Sequence, residues 1–202
     1  MTGHLGIATQ ISPTEKNGTA MVRLVSTDLF DTDAEAIVNS VNCVGVMGKG
    51  VAEGVKIRWP VIYRQYRQDC GVGLACDGTY DRRYGPTLDQ LPPPCCAPGC
   101  VCTVHRVAPG KLIARPTRGQ GVQWVIDMPT KRHWKNPSRL EDVRASIEAL
   151  PALLAATGIR SVAIPPPGCG NGGLDWERQV GPIVEAVLGQ SPVDVRVHLR
   201  RP

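Results

Sequence analysis

The sequence predicts an α/β fold in which helices cover both faces of a mostly parallel or mixed sheet. Three observations predict it. Short β-branched runs alternate with segments of helical spacing through most of the chain, two glycine-rich turns each stand between such a run and a helix, and no internal repeat interrupts the alternation.

At 202 residues the chain suffices for one sizeable domain, which at this length removes roughly two-thirds of its unfolded surface from water. Hydrophobic residues at 42% and charged residues at 20% are ordinary for a globular protein, whereas 18 prolines and 22 glycines are many and belong in loops. A formal charge of +5 gives a mild attraction to polyanions without specifying nucleic acid, because ordinary solvated Lys and Arg faces produce the same sum. The opening MTGHLGIATQISPTEKNGTA has no basic segment followed by about seven apolar residues, and no run approaches about eighteen, so neither secretion nor a membrane span is expected. The expected location is cytoplasmic.

Residues 1–19 are polar and aperiodic, a flexible segment ahead of a domain over residues 20–202. MVRLVS alternates and is β-branched, as a strand requires. After a turn through Thr27, Asp28 and the DTDAE run, AIVNSVN is a short apolar strand whose end carries Asn42 into the glycine-bearing segment 44–50. Residues 51–68 have helical spacing, with Val55, Trp59, Ile62 and Tyr66 near one face and a break expected at Pro60. Residues 70–121 read as a Cys/Pro-rich insertion, since DQLPPPCCAPGC fits neither a helix interior nor a central strand. Within or beside it VCTVHRV and KLIAR have strand composition, and VQWVIDMP is a clearer strand. Residues 138–156 place Leu140, Val143, Ile147, Leu150 and Leu154 at helical spacing, with Ser138 and Glu141 in the pattern of a capping box. SVAIP is a buried-type strand running into PPGCGNGG, Asp175 caps a helix to about residue 188, and VDVRVHL is the closing strand.

Two of these segments carry chemistry. In PPGCGNGG glycine lets backbone N–H groups face a ligand, and the helix that follows favours anions at its start, which suits a diphosphate; a plain tight turn has the same composition. In IVNSVNCVGVMGKGVA the Asn42 amide can donate to and accept from hydroxyls while Gly45, Gly48 and Gly50 keep the backbone open. Two such turns at strand ends point to one shared cleft beyond the sheet. Asn39, by contrast, reads as a buried structural amide. Eight cysteines need a local explanation, for six (Cys70, Cys76, Cys95, Cys96, Cys100 and Cys102) fall in one third of the chain. Cys95, Cys96, Cys100 and Cys102, with His105 near, offer a ligand set for structural zinc, although the spacing is not that of paired CxxC knuckles and reduced loop thiols read slightly better. Cys43 and Cys169 lie in the glycine turns, where small size explains them better than reactivity.

Four stretches, TDLFDTDAEAIVNSVN, GVMGKGVA, MPTKRHWKNPSRLEDV and IPPPGCGNGGLDW, together resemble the macrodomain family, and within it the branch of the DarG antitoxins and the terminal ADP-ribose glycohydrolases. The resemblance covers about residues 21–200 apart from the insertion. It implies a three-layer α/β/α fold with ADP-ribose across the loop edge of the sheet. By position it implies that Asp28 accepts from the adenine amino group with Leu29 beside it through its backbone. Asn42 and the turn of Gly48, Lys49, Gly50 and Val51 would face the distal ribose. Gly168, Cys169, Gly170, Asn171, Gly172 and Gly173 would hold the diphosphate. Met128, Pro129 and Thr130 would lead Lys131 into the same pocket, where the resemblance makes its amine the group that attacks the anomeric carbon of the distal ribose. Desolvation beside Arg132, His133 and Lys135 would lower its pKa enough for that role; His133 is a structural imidazole or a proton carrier. The sequence departs from the terminal glycohydrolase pattern at Gly172, where that group has an aspartate, and the departure favours ADP-ribose joined to thymidine in DNA over an ester on protein Glu or Asp. Lys131, Arg132, His133, Lys135, Arg139 and Arg144 would suit flanking phosphates, with Trp134 either stacking on a nucleotide or packing in the core. The expected partners are ADP-ribosylated DNA or protein and a cognate ADP-ribosyltransferase, with no cofactor beyond ADP-ribose itself as ligand and product. A non-catalytic ADP-ribose-binding module is the rival reading.

Overall fold

The structure, a computed structural model, describes residues 22–71, 107–119 and 121–199. The N-terminal segment, most of VCTVHRV, Cys76, Cys95, Cys96, Cys100, Cys102 and His105 lie outside the described residues, so the zinc expectation does too.

Among the described residues β1 (Arg23–Val25), β2 (Ala36–Asn42), β3 (Ile113–Pro116), β4 (Trp124–Lys131), β5 (Ser161–Ile164) and β6 (Asp194–His198) form one mixed sheet in the order β1-β6-β5-β2-β4-β3. The edge strand β3 runs antiparallel to β4, and the other pairings are parallel. KLIAR, placed within or beside the insertion on sequence grounds, therefore belongs to the sheet. The chain breaks at Pro60 as expected, giving α1 (Gly50–Arg58) and α2 (Pro60–Asp69), with Pro60 at the first helical position where its missing N–H costs nothing. α3 spans Leu140–Thr157 and ends on Gly158 in the left-handed region (φ 70°). Asp175 caps a π-turn (Trp176–Val180) that runs into α4 (Gly181–Leu188), its carboxylate accepting from the Arg178 N–H at 2.7 Å.

Side chains alternate across the strands and so build two cores. Ala36, Val38, Ile126 and Met128 face Val143, Ile147, Leu150 and Leu154 of α3 and Ile183, Val184 and Leu188 of α4. Ile37, Val41 and Val125 face Val55 of α1 and Ile62 and Tyr66 of α2. Helices thus cover both faces, giving three layers. Cys70 belongs to this second core and not to a loop cluster; it caps α2, and burial pushes its thiol pKa up.

One local expectation fails. The Ser138–Glu141 capping box does not form, because α3 starts at Leu140 with Arg139 as its uncapped N-cap residue. Ser138 is drawn elsewhere: its N–H donates to Gly172 O at 2.9 Å, and its buried Oγ has no partner.

Candidate active site

β5, β2 and β4 are neighbours and parallel, so their carboxyl ends open on one edge of the sheet. β2 ends at Asn42, β4 ends at Lys131, and β5 leads into the turn that holds Gly168, Gly170, Gly172 and Gly173. The three strand ends meet at one place. Lys131 Nζ donates to the Asn171 carbonyl at 2.5 Å, and a Cβ added at Gly50 would lie 3.5 Å from the Asn171 amide nitrogen. The two glycine turns and the lysine expected from sequence therefore share one hollow.

Lys131 is half-buried, and that burial lowers its pKa from the ordinary lysine value. Desolvation is the cause expected, without a contribution from the cations that follow. Arg132 is engaged elsewhere, giving Asp142 two hydrogen bonds of 2.9 Å. His133 is buried, with Nδ1 accepting from the Lys135 N–H at 3.2 Å, as befits a structural imidazole. Arg139 stands 4.0 Å from Glu141 and Arg144 3.9 Å from Glu148, so part of the basic stretch is ordinary helix surface. Trp134 does not pack in the core; it is 47% exposed.

The turn after β5 is shaped by close approach. A Cβ at Gly172 would stand 2.1 Å from Gly168 O and 2.3 Å from Ser138 Oγ, so neither alanine nor aspartate fits there without moving backbone. The absence of a carboxylate at this position is thus built into the turn. Gly168 (φ 74°) and Gly173 (φ 80°) take the left-handed region, while Gly170 has nothing within 4 Å of a Cβ and lies exposed at the tip with Asn171. Cys169 is half-buried, its Sγ facing Pro167 O at 3.6 Å, and burial raises its thiol pKa to about 11. Burial raises that of Cys43 to about 12, and its Sγ donates to Lys131 O at 3.3 Å. Neither thiol is activated.

In the turn after β2, Gly48, Lys49 and Gly50 are exposed and Val51 is half-buried at the start of α1. The Asn42 amide is engaged within its own turn and with α2. Its Nδ2 donates to Val46 O at 2.6 Å while its Oδ1 accepts from Val44 N, Val46 N and the Tyr66 hydroxyl. The amide holds its own turn in shape from a buried position, and Tyr66 OH also ties Asn42 O at 2.7 Å. Pro129 and Thr130 are buried as well: Pro129 O accepts from Ser146 Oγ at 2.7 Å and Thr130 Oγ1 lies 3.5 Å from Val41 O. Both stand in β4 directly before Lys131.

Asp28 lies beyond β1, at the rim of the same edge. Its carboxylate accepts from the Phe30 N–H at 2.9 Å, capping the 3-10 turn Leu29–Asp31, and Leu29 is buried. Sequence reasoning missed how this rim is fixed. A Cβ at Gly54 would meet the Phe30 ring at 2.5 Å, and the Arg58 guanidinium covers that ring at 3.9 Å, so the turn is seated on α1. It also missed the support beneath Lys131, where Arg115 Nε donates to Asp127 at 2.6 Å, Arg115 Nη2 to Asp69 at 2.7 Å, and Asn39 Nδ2 to Asp127 at 2.8 Å. The signal was an Arg and an Asp inside otherwise apolar strands, which buried segments tolerate only as partners. Asn39 is structural, as expected.

Comparison with known proteins agrees with this geometry. The macro domain family model matches residues 72–181. The chain is 35% identical over 180 residues, 88% of its length and 42% of the relative's, to a Mycobacterium tuberculosis protein named DNA ADP-ribosyl glycohydrolase. It is 30% identical over 182 residues, 90% of its length and 42% of the relative's, to a Thermosipho africanus DNA ADP-ribosyl transferase–DNA ADP-ribosyl glycohydrolase fusion protein. It thus spans less than half the length of these curated relatives. The solved macrodomain of Mycobacterium tuberculosis DarG superposes with a TM-score of 0.68 at 34% identity, covering 91% of this chain and 99% of that one.

Proposed function

The chain belongs to the macrodomain family, and from that premise we propose that it is an ADP-ribosyl glycohydrolase that removes ADP-ribose from thymidine in DNA, with Lys131 as the nucleophile. The observation that carries this reading is the meeting of Lys131 Nζ with Asn171 O beside Gly50, which sets a primary amine where two open glycine turns converge. The names of the two curated relatives support DNA as the carrier, and the fused transferase supports a cognate DNA ADP-ribosyltransferase as the source of the substrate. Work on DNA also fits a cytoplasmic site; among the described residues no helix is long and apolar enough to cross a membrane.

Adenine lies at the rim, its amino group donating to Asp28 beside the Leu29 backbone. The diphosphate lies on Gly168, Cys169, Gly170, Asn171, Gly172 and Gly173, where backbone N–H groups approach without side-chain obstruction. The distal ribose sits against Gly48, Lys49, Gly50 and Val51, in a turn whose shape Asn42 maintains. Substrate displaces Lys131 Nζ from Asn171 O. As the free amine, Nζ bonds to the anomeric carbon while the bond from that carbon to the thymine nitrogen breaks, the base keeping the electron pair and taking the proton that Nζ gives up. The ribose ring then opens to an imine on Nζ, and water releases ADP-ribose and restores the amine. The reaction consumes water and requires no cofactor.

The test offers ADP-ribosylated DNA and ester-ADP-ribosylated protein side by side to the wild type and to Lys131→Ala. Release from DNA is expected from the wild type and not from the variant, with calorimetric affinity for free ADP-ribose largely kept. Turnover by the variant at the wild-type rate removes the nucleophile, release from protein alone moves the substrate to the ester, and binding without any release leaves a binding module.

A further inference from the structure

The loop after Lys131 is clamped at both ends to the glycine turn: Lys131 Nζ holds Asn171 O at 2.5 Å and the Ser138 N–H holds the next carbonyl, Gly172 O, at 2.9 Å. Midway along it stands Trp134, 47% exposed. Its base is rigid. His133 is 3% exposed and stacks on the indole with ring centroids 5.6 Å apart and planes at 28°, its Nδ1 fixed by the Lys135 N–H, and the Asn136 N–H closes the turn onto His133 O at 3.2 Å. Three residues of chain allow its Cα at most about 11 Å from that of Lys131. A large aromatic ring left 47% exposed within that reach of a reaction centre lacks part of the apolar burial that normally justifies it.

We propose that Trp134 is the stacking platform for the nucleobase from which ADP-ribose is cut. The inference rests on the glycohydrolase reading and deepens it: Lys131 would face the sugar and Trp134 the leaving base. A base can offer its face to an indole only when it is out of the duplex stack. Lys135 Nζ now sits 5.2 Å from the indole centroid. A cation–π contact at an exposed site is weaker than a base–aromatic stack, so the base displaces the ammonium, whose charge then lies beside the adjoining phosphate.

The experiment measures kcat and KM for release from an ADP-ribosylated single-stranded oligonucleotide by the wild type, Trp134→Ala and Trp134→Phe, with affinity for free ADP-ribose by calorimetry. Trp134→Ala is expected to raise KM on the order of tenfold, the loss of one base–aromatic stack, while affinity for ADP-ribose stays within about twofold and Phe recovers most of the KM. Wild-type KM in Trp134→Ala overturns the inference, as does a parallel loss of ADP-ribose affinity, which marks a structural role, or an equal KM rise on ADP-ribosylated protein, which marks a peptide contact. A wild type that releases nothing from the oligonucleotide sinks the glycohydrolase reading itself, and this inference with it; an active wild type with an unaltered Trp134→Ala sinks this one alone.

Discussion

Gly170 and Gly172 lie two residues apart in one turn and have opposite surroundings. A Cβ at Gly172 meets the Gly168 carbonyl at 2.1 Å, whereas one at Gly170 meets nothing within 4 Å. Gly172→Ala is therefore expected to cost about 1–3 kcal/mol of stability through forced backbone movement, and Gly170→Ala less than about 1 kcal/mol, read as shifts in chemical denaturation midpoints. Gly170→Trp should fold normally yet lose ADP-ribose affinity by filling the approach to the turn; wild-type affinity by calorimetry would defeat the diphosphate assignment. At Lys131 the relevant quantity is protonation. Burial disfavours the ammonium, so its folded pKa is lowered and the nucleophilic amine is more populated at any pH below the ordinary lysine value. Release should rise with pH along an acid limb that lies below that value, seen in a kcat/KM profile of the wild type. A profile flat through that range counts against the free amine as the attacking form. All three residues were legible in sequence as participants, and desolvation as the cause of the Lys131 shift with them, but Gly172 as a steric necessity was not, because it depends in part on Ser138, remote in the chain.

Elements reach the site by being tied to one another, and the strongest tie is beneath β4. Asp127 is buried, and desolvation raises its pKa against the opposing pull of Arg115 and Asn39. Arg115 on β3 also holds Asp69 at the end of α2, so one guanidinium links an edge strand, the central strand that ends in Lys131, and a helix of the other layer. Arg115→Leu would leave Asp127 buried without its countercharge and is expected to cost about 3–5 kcal/mol, whereas removing both partners together should cost less than the single change. A double-mutant cycle by urea denaturation measures the coupling, and simple additivity would count against the tie. The elements themselves were largely readable from periodicity, including the break at Pro60 and the cap at Asp175. The Ser138 cap was not, since its N–H is claimed by Gly172, an element away, and that contact outcompetes a local pattern.

For the molecule as a whole, ligand and fold are linked, because the turns that would hold ADP-ribose bridge three strand ends and exist only in the folded state. ADP-ribose at about a hundred times its Kd should add about 2.7 kcal/mol of stability, which for a domain of this size raises Tm by about 5–11 °C. A thermal scan with and without ADP-ribose reads this directly, and no shift would count against the hollow as the ligand site. The sequence by itself determined the alternation of strands and helices, the two glycine turns, the lysine at the end of MPTK and the family resemblance, since these are properties of residue type and spacing along one chain. Only the tertiary structure decided that Asn42 serves its own turn, that Pro129 and Thr130 lie buried behind Lys131, that Arg132 belongs to Asp142, and that Trp134 faces solvent. Each of those outcomes is a competition for a partner between groups brought together by folding. Spacing reports what a side chain is able to bond, and packing alone settles which bond it makes.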